Sequence, residues 1–259
     1  MIIGGETGRY EMDWTDDIEL VSLDSSPVPE CLSSLNPFPF GSIYGSAGAA
    51  LDGIPLICGG CIGECTPGTC SCSQSNTCYK YDPIADTWVE TATMSTNRIY
   101  DATDFTESFG LAMANAETPL EVTQDGFNFE LLADYPNPDV TGGYDGGCLV
   151  ILDDKNVLLA GGYVGCTPSP NGCVGYGNAS SRAFIYNRDD NQWAEVGSMG
   201  EGRMFHSCGL IPSGDGSGYE VIAVGGNGGG ETPSENARTS TEVFNLETST
   251  WRRGINTSK

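Results

Sequence analysis

The residues of this chain best equipped for chemistry are its eleven cysteines and its single histidine. Six cysteines crowd into CGGCIGECTPGTCSCSQSNTC, at Cys58, Cys61, Cys65, Cys70, Cys72 and Cys78. Two more, Cys166 and Cys173, bracket the loop CTPSPNGC. Cysteines set among Gly, Pro, Ser and Thr mark disulfide-stapled loops in an oxidising compartment. Zinc is the competing chemistry, since Cys58 and Cys61 form a C-x-x-C pair with Cys70 and Cys72 close by. The intervals within the cluster, however, do not repeat the paired C-x-x-C pattern of a structural zinc site. An odd number of cysteines leaves at least one free or paired outside the chain.

His206 lies in GRMFHSCGL, beside two nucleophile candidates, Ser207 and Cys208. Neighbours on a strand point to opposite faces, which makes a base–nucleophile pair unfavourable there, so a structural histidine is expected. Carboxylates come in pairs at Asp16-Asp17, Asp153-Asp154 and Asp189-Asp190. Most fall in predicted turns, where Asp serves the backbone, and nothing singles out a glycosidase pair. The stretches GDGSG and GNGGG precede no helical pattern, so phosphate binding has little support. Calcium has only acidic loops in its favour, none of them D-x-[DN]-x-[DN]-G. The expectation is a chain that is not an enzyme, with no catalytic, cofactor-binding or metal-binding residue assigned.

Charge narrows the partners. Asp+Glu number 35 against 11 Lys+Arg, a net charge of −24, which argues against nucleic acid and anionic membranes. Two sequons, at Asn178 and Asn256, join the cysteines in predicting a secreted glycoprotein. The opening MIIGGETG has no basic flank, so either a signal has been removed or the chain is a piece of a longer one. Apolar runs are too short to span a bilayer.

Behind these residues stands a repeat. Glycine pairs close short Val/Ile/Leu strands at Gly4-Gly5, Gly59-Gly60, Gly161-Gly162 and Gly225-Gly226, at intervals of 55, 102 and 64 residues. The long interval is two steps of 51, and SFGLAMANAE sits midway with Ala114-Asn115 in the glycine place. Each well-kept copy continues with an aromatic, a polar turn and a tryptophan seven residues on: Tyr81 and Trp88, Tyr186 and Trp193, Phe244 and Trp251. Phe129 stands near the tryptophan place of the eroded copy. A period near 50 means repeated supersecondary units.

This pattern resembles the kelch repeat, with three good copies and two eroded ones covering nearly the whole chain. The resemblance implies an all-β fold: a kelch-type β-propeller of four-stranded blades, about five of them readable. They are expected at 1–40 (incomplete), 41–94, 95–136, 140–199 and 200–254. Because such propellers generally have six or seven blades, a six-bladed ring of which this chain is part is expected. The alternative is a five-bladed ring closed by the C-terminal residues. On this layout Cys58 ends a second strand and Cys78 begins a third, so the two could bridge. Cys166 and Cys173 could close their loop, while Cys31, Cys148 and Cys208 at strand positions are expected to be small buried thiols. Arg203 to His206 stands where kelch repeats carry an Arg-x-x-His stretch.

The long second-to-third loops would emerge on one face, where propellers place binding surfaces. The function implied is an extracellular binding or structural module for a protein or glycan partner, other subunits of an extracellular assembly among the candidates. One alternative is a secreted hydrolase or oxidase on the same fold. Kelch-type copper oxidases such as galactose oxidase use two histidines and a Cys-crosslinked tyrosine, which one histidine does not supply. The other is an intracellular adaptor like the kelch subunits of ubiquitin ligases, disfavoured by the cysteines, the sequons and the lack of an N-terminal helical domain.

Overall fold

The structure is a computed structural model. It describes residues 2–6, 14–22, 30–34, 38–66, 69–115, 118–138, 146–165, 167–169, 172–174, 176–216, 218–230 and 236–255. For 2–34, 42, 64–72, 167–177 and 230 the description is confined to backbone. The described residues form antiparallel strands and turns, and none is helical. No helix is long and apolar enough to cross a membrane.

The chain divides into two compact units, 1–100 with 123–129 and 101–122 with 130–259. The first holds a three-stranded sheet of Ile2–Glu6, Trp14–Ser22 and Glu30–Ser34. It also holds a sheet whose strands Ala47–Leu51, Ile54–Cys58, Thr69–Asp82 and Thr87–Arg98 pair in chain order. Three further four-stranded antiparallel sheets, each again ordered along the chain, lie in the second unit save for Thr123 and Phe129 at strand ends of the first of them. Their strands are Ala102–Thr106, Gly110–Asn115, Thr118–Thr123 and Phe129–Leu131; Gly147–Ile151, Asn156–Gly161, Ala183–Asn187 and Gln192–Val196; and Ser207–Pro212, Tyr219–Val224, Thr241–Asn245 and Thr250–Arg253.

Local chemistry explains the outer hairpins. Tyr81, Tyr186 and Phe244 lie directly opposite Trp88, Trp193 and Trp251, with ring centroids 5.4, 5.4 and 5.1 Å apart. A seven-residue spacing puts two aromatics face to face across a short turn, where such a pair adds about 0.5–1.5 kcal/mol beyond its area. The turn is closed by the last residue of the strand, which is polar. Asp82 accepts from the N–H groups of Ile84 and Ala85, and Asn187 from those of Asp189 and Asp190. Asn245 accepts from Thr248 N–H. These are Asx turns, which is why Asp and Asn recur there.

Packing between sheets then buries the inner faces. Tyr186 joins Phe109, Leu120, Val157 and Leu159 in one core of the second unit; Phe244 joins Val150, Leu158, Met199 and Val221 in another. In the first unit Trp88 packs with Phe38, Ile57 and Tyr79. Each large apolar side chain so buried contributes about 1.5–3 kcal/mol. The eroded copy keeps the strands without the glycines: Ala114-Asn115 ends its second strand, and Asn115 Nδ2 donates to Asp101 Oδ1 at 2.9 Å.

Candidate functional site on the loop face

In an antiparallel sheet the second strand ends where the first begins. The long second-to-third loops therefore leave from the same end of each sheet as the segments leading into its first strand. The glycine pairs sit at that end. Gly59, Gly60, Gly161, Gly162, Gly225 and Gly226 all have positive φ, which only glycine adopts without strain. Two of the pairs clasp an arginine that leads towards the following sheet. Gly60 N–H donates to Arg98 O at 2.7 Å, and Gly162 N–H to Arg203 O at 2.9 Å. A Cβ on Gly161 would lie 2.5 Å from Arg203 O and 2.6 Å from His206 Cε1.

Arg203 is fully buried. Nη1 donates to Gly225 O and Ser240 O at 2.8 and 2.9 Å, and Nη2 to Ser240 Oγ at 2.7 Å and Glu242 Oε1 at 3.1 Å. Glu242 also accepts from Gly200 and Glu201 N–H groups, so the charge is satisfied all round. A cavity of about 370 Å³ beside it is lined by Glu201, Ser240, Glu242, Trp251 and Arg253 among others. Its carboxylate pair is engaged by Arg203. Ser240 hydroxyl donation, aided by nearby arginines, holds Glu201 below the usual carboxylate range, so Glu201 is no general acid at neutral pH.

Two residues beyond the arginine the chain does something a sequence pattern does not announce. Phe205 has φ +52° and is 54% exposed, and its N–H donates to Gly146 O. Tyr100, two residues after Arg98, has φ +55°, and its N–H donates to Gly45 O at 2.9 Å. A bulky residue in the left-handed region is strained, by about 1–2 kcal/mol. Each ring lies over its glycine: a Cβ on Gly146 would meet Phe205 Cε1 at 2.9 Å, and one on Gly45 would meet Tyr100 Cδ1 at 3.2 Å. In each unit, then, a strained aromatic is braced against a glycine on the loop face.

The loops of two consecutive sheets join. Tyr163–Val164 pairs with Tyr176–Ala179, which pairs in turn with Gly229–Gly230 of the next loop. Thr167–Ser169 and Gly172–Val174 make a further hairpin. Asn137, buried, donates to Ser180 Oγ at 3.0 Å and anchors the base of this canopy. The first unit has its own version, in which Cys61–Thr66 pairs with Ser42–Tyr44 on one side and Thr69–Asp82 on the other.

The predicted cysteines are placed as follows. Cys58 and Cys78 are bonded to each other, and Cys61 is disulfide-bonded too, which removes both ends of the C-x-x-C pair as zinc thiolates. Cys65 and Cys70 face one another in register, and Cys72 faces Gly63. Cys173 lies opposite Pro168 on a hairpin strand, while Cys166 falls outside the described residues. Asn178 is exposed on the canopy; Asn256 also lies outside the described residues.

Two expectations need correction. Cys148 and Cys208 are not buried thiols: they are bonded to each other across first strands of successive sheets, 60 residues apart, with Cα atoms 5.8 Å apart. The strand argument about His206 holds for Ser207 but not for Cys208, because residues i and i+2 share a face. His206 and both sulfurs lie within 4.8 Å of one another. The imidazole is buried and seated between Gly161 and Gly226, neither ring nitrogen has a hydrogen-bond partner among the described residues, and desolvation, with Arg203 assisting, lowers its pKa to about 4.

Comparison with known proteins places this geometry. Residues 43–95 match the family model described as the Kelch motif. No curated protein matches the sequence. Among solved structures, YjhT is similar over 98% of this chain and 80% of its own, at 15% identity and a TM-score of 0.67. A fungal alcohol oxidase of the AA5 family, solved in complex with copper, is similar over 94% of this chain at 16% identity and a TM-score of 0.62. This chain spans half of the oxidase's length. At such identities the likeness shows the fold. It also overturns the expectation that the chain is not an enzyme, because the same fold carries an oxidase in that relative. The donor set here nevertheless does not fit a two-histidine copper centre: His206 is the chain's one histidine, packed against glycines and a disulfide.

Proposed function

We propose that this chain, with the kelch-type fold of four-stranded antiparallel sheets, acts outside the cell as a receptor for a protein or glycan, held on the loop face of the second unit. Oxidising surroundings are supported by the disulfides Cys58–Cys78 and Cys148–Cys208, bonds that persist in secreted chains. The observation that carries the binding role is Phe205: an exposed aromatic held in strain at the entry to the last sheet and braced against Gly146. Strain of this kind persists where a site over-determines it, and a rigid ring supplies contact area with little entropy to lose. Asn178 on the same canopy gives the face a polar rim.

The test is a glycan array and an array of purified extracellular proteins, probed with the parent and with Phe205→Ala. A ligand bound by the parent and at least tenfold weaker for the folded variant is the expected result. Ligands bound equally by both would refute this face as the site. A second reading, taken from the enzyme that shares this fold, is a secreted hydrolase or oxidase acting on a ligand held at the same face without a two-histidine copper centre. Peroxide release from alcohols and sugars and hydrolysis of glycosides test it; neither above the heat-treated protein would eliminate it.

A further inference from the structure

We propose that Cys148, Cys208 and His206 form a second, redox-gated site that takes a zinc-class divalent cation once their disulfide is reduced. The inference is independent of the ligand bound above. Three features point to it. The donor atoms already converge, all within 4.8 Å of one another. His206 is seated by backbone: a Cβ on Gly161 would stand 2.6 Å from Cε1, and one on Gly226 2.6 Å from the histidine Cβ. And both ring nitrogens are buried with no hydrogen-bond partner among the described residues, a costly arrangement unless something else satisfies it. Cys208 is half-buried, which gives a reductant access to the bond.

The chemistry balances with a dithiol as co-reactant. The dithiol delivers two electrons and two protons to the Cys148–Cys208 bond, which breaks to two thiols, while the dithiol closes to its own disulfide. The cation then displaces both thiol protons to solvent and binds two thiolates and one neutral imidazole nitrogen. Two thiolates neutralise the dication, so the filled site adds no net charge to a buried place. Three protein ligands leave one tetrahedral position open. The closed disulfide and the filled metal site are alternative clips between the same two first strands.

The experiment uses the full chain, reduced by dithiothreitol, freed of it anaerobically and titrated with cobalt(II) as the spectroscopic probe. The parent is expected to bind one more cobalt than Cys148→Ser/Cys208→Ser, with thiolate charge-transfer and tetrahedral d–d bands in the difference. His206→Gln should weaken that one site at least tenfold. Equal cobalt uptake by parent and double variant, or an unchanged affinity in His206→Gln, would overturn the proposal. Should reduction unfold the chain, zinc must restore its circular dichroism in the parent and not in His206→Gln; restoration in both, or in neither, refutes the site. Cys148→His offers a route without reductant, since it cannot form the bond yet keeps three donors. If that variant folds and binds no cobalt, the three positions do not form a site.

Discussion

Replacing Cys148 and Cys208 together by alanine removes a cross-link whose worth follows from how much chain it closes. The two positions are 60 residues apart. Loop-closure entropy for 60 residues amounts to about 14 cal/mol/K, or about 4 kcal/mol at 25 °C. In a chain of this size each kcal/mol moves the midpoint by about 2–4 °C, so the double variant should melt about 10 °C lower. Guanidinium titration by tryptophan fluorescence is the sharper assay, because an unchanged slope shows that the unfolded state's exposure has not altered. The parallel variant of Cys58 and Cys78, 20 residues apart, closes less chain and should lose about 3 kcal/mol. If the Cys148/Cys208 variant loses under about 1 kcal/mol with an unchanged slope, the bond does not act by loop closure and the reasoning fails.

Other outcomes follow from the same seam. Gly161→Ala should destabilise by about 2–4 kcal/mol, since a left-handed φ and overpacking combine, whereas Gly214→Ala, with open space around it, should stay within 0.5 kcal/mol; equal effects would dismiss the clasp. Arg203→Met strands the buried Glu242 carboxylate and should lose about 3–5 kcal/mol in urea titration; a loss under 1 kcal/mol would mean the network is not holding the charge. His206 titrates near 4 in the folded chain against about 6.5 unfolded, so the unfolded state alone takes up its proton between those values. Stability should be full above pH 6.5 and fall by about 3 kcal/mol as the pH drops to 4, and His206→Phe should flatten that slope. An unaltered pH profile in the folded variant would place the acid sensitivity elsewhere.

What the sequence made legible was local. A glycine pair after four apolar residues, and an aromatic seven residues before a tryptophan, are short-range signals, and they map onto strand ends and directly opposed residues. The disulfide between Cys148 and Cys208 was not legible, because it depends on which first strands lie side by side in space, across 60 residues of chain. The nearness of His206 to that disulfide was not legible either: opposition of neighbours speaks only to Ser207, and Cys208 stands two residues away. The left-handed Phe205 and Tyr100 left no trace, since no residue preference marks an aromatic for positive φ. Their signal lies instead in Gly146 and Gly45, two unremarkable glycines far upstream whose missing side chains make the room.

The clasp of Gly161-Gly162 on Arg203 also bears on how such a chain could have grown. The glycines belong to the sheet ending at Val196, the arginine to the segment that opens the next. A gene duplication that copied residues 147–196 as a block would inherit the glycines without the arginine they hold. A block running from one glycine pair to the next, Gly161-Gly162 to Gly225-Gly226, would carry Arg203 and His206 along with the strand they introduce. The repeat read along the chain and the sheet seen in the fold are then out of step by half a sheet, and the sheet ending at Val196 is closed by an arginine that travels with its neighbour.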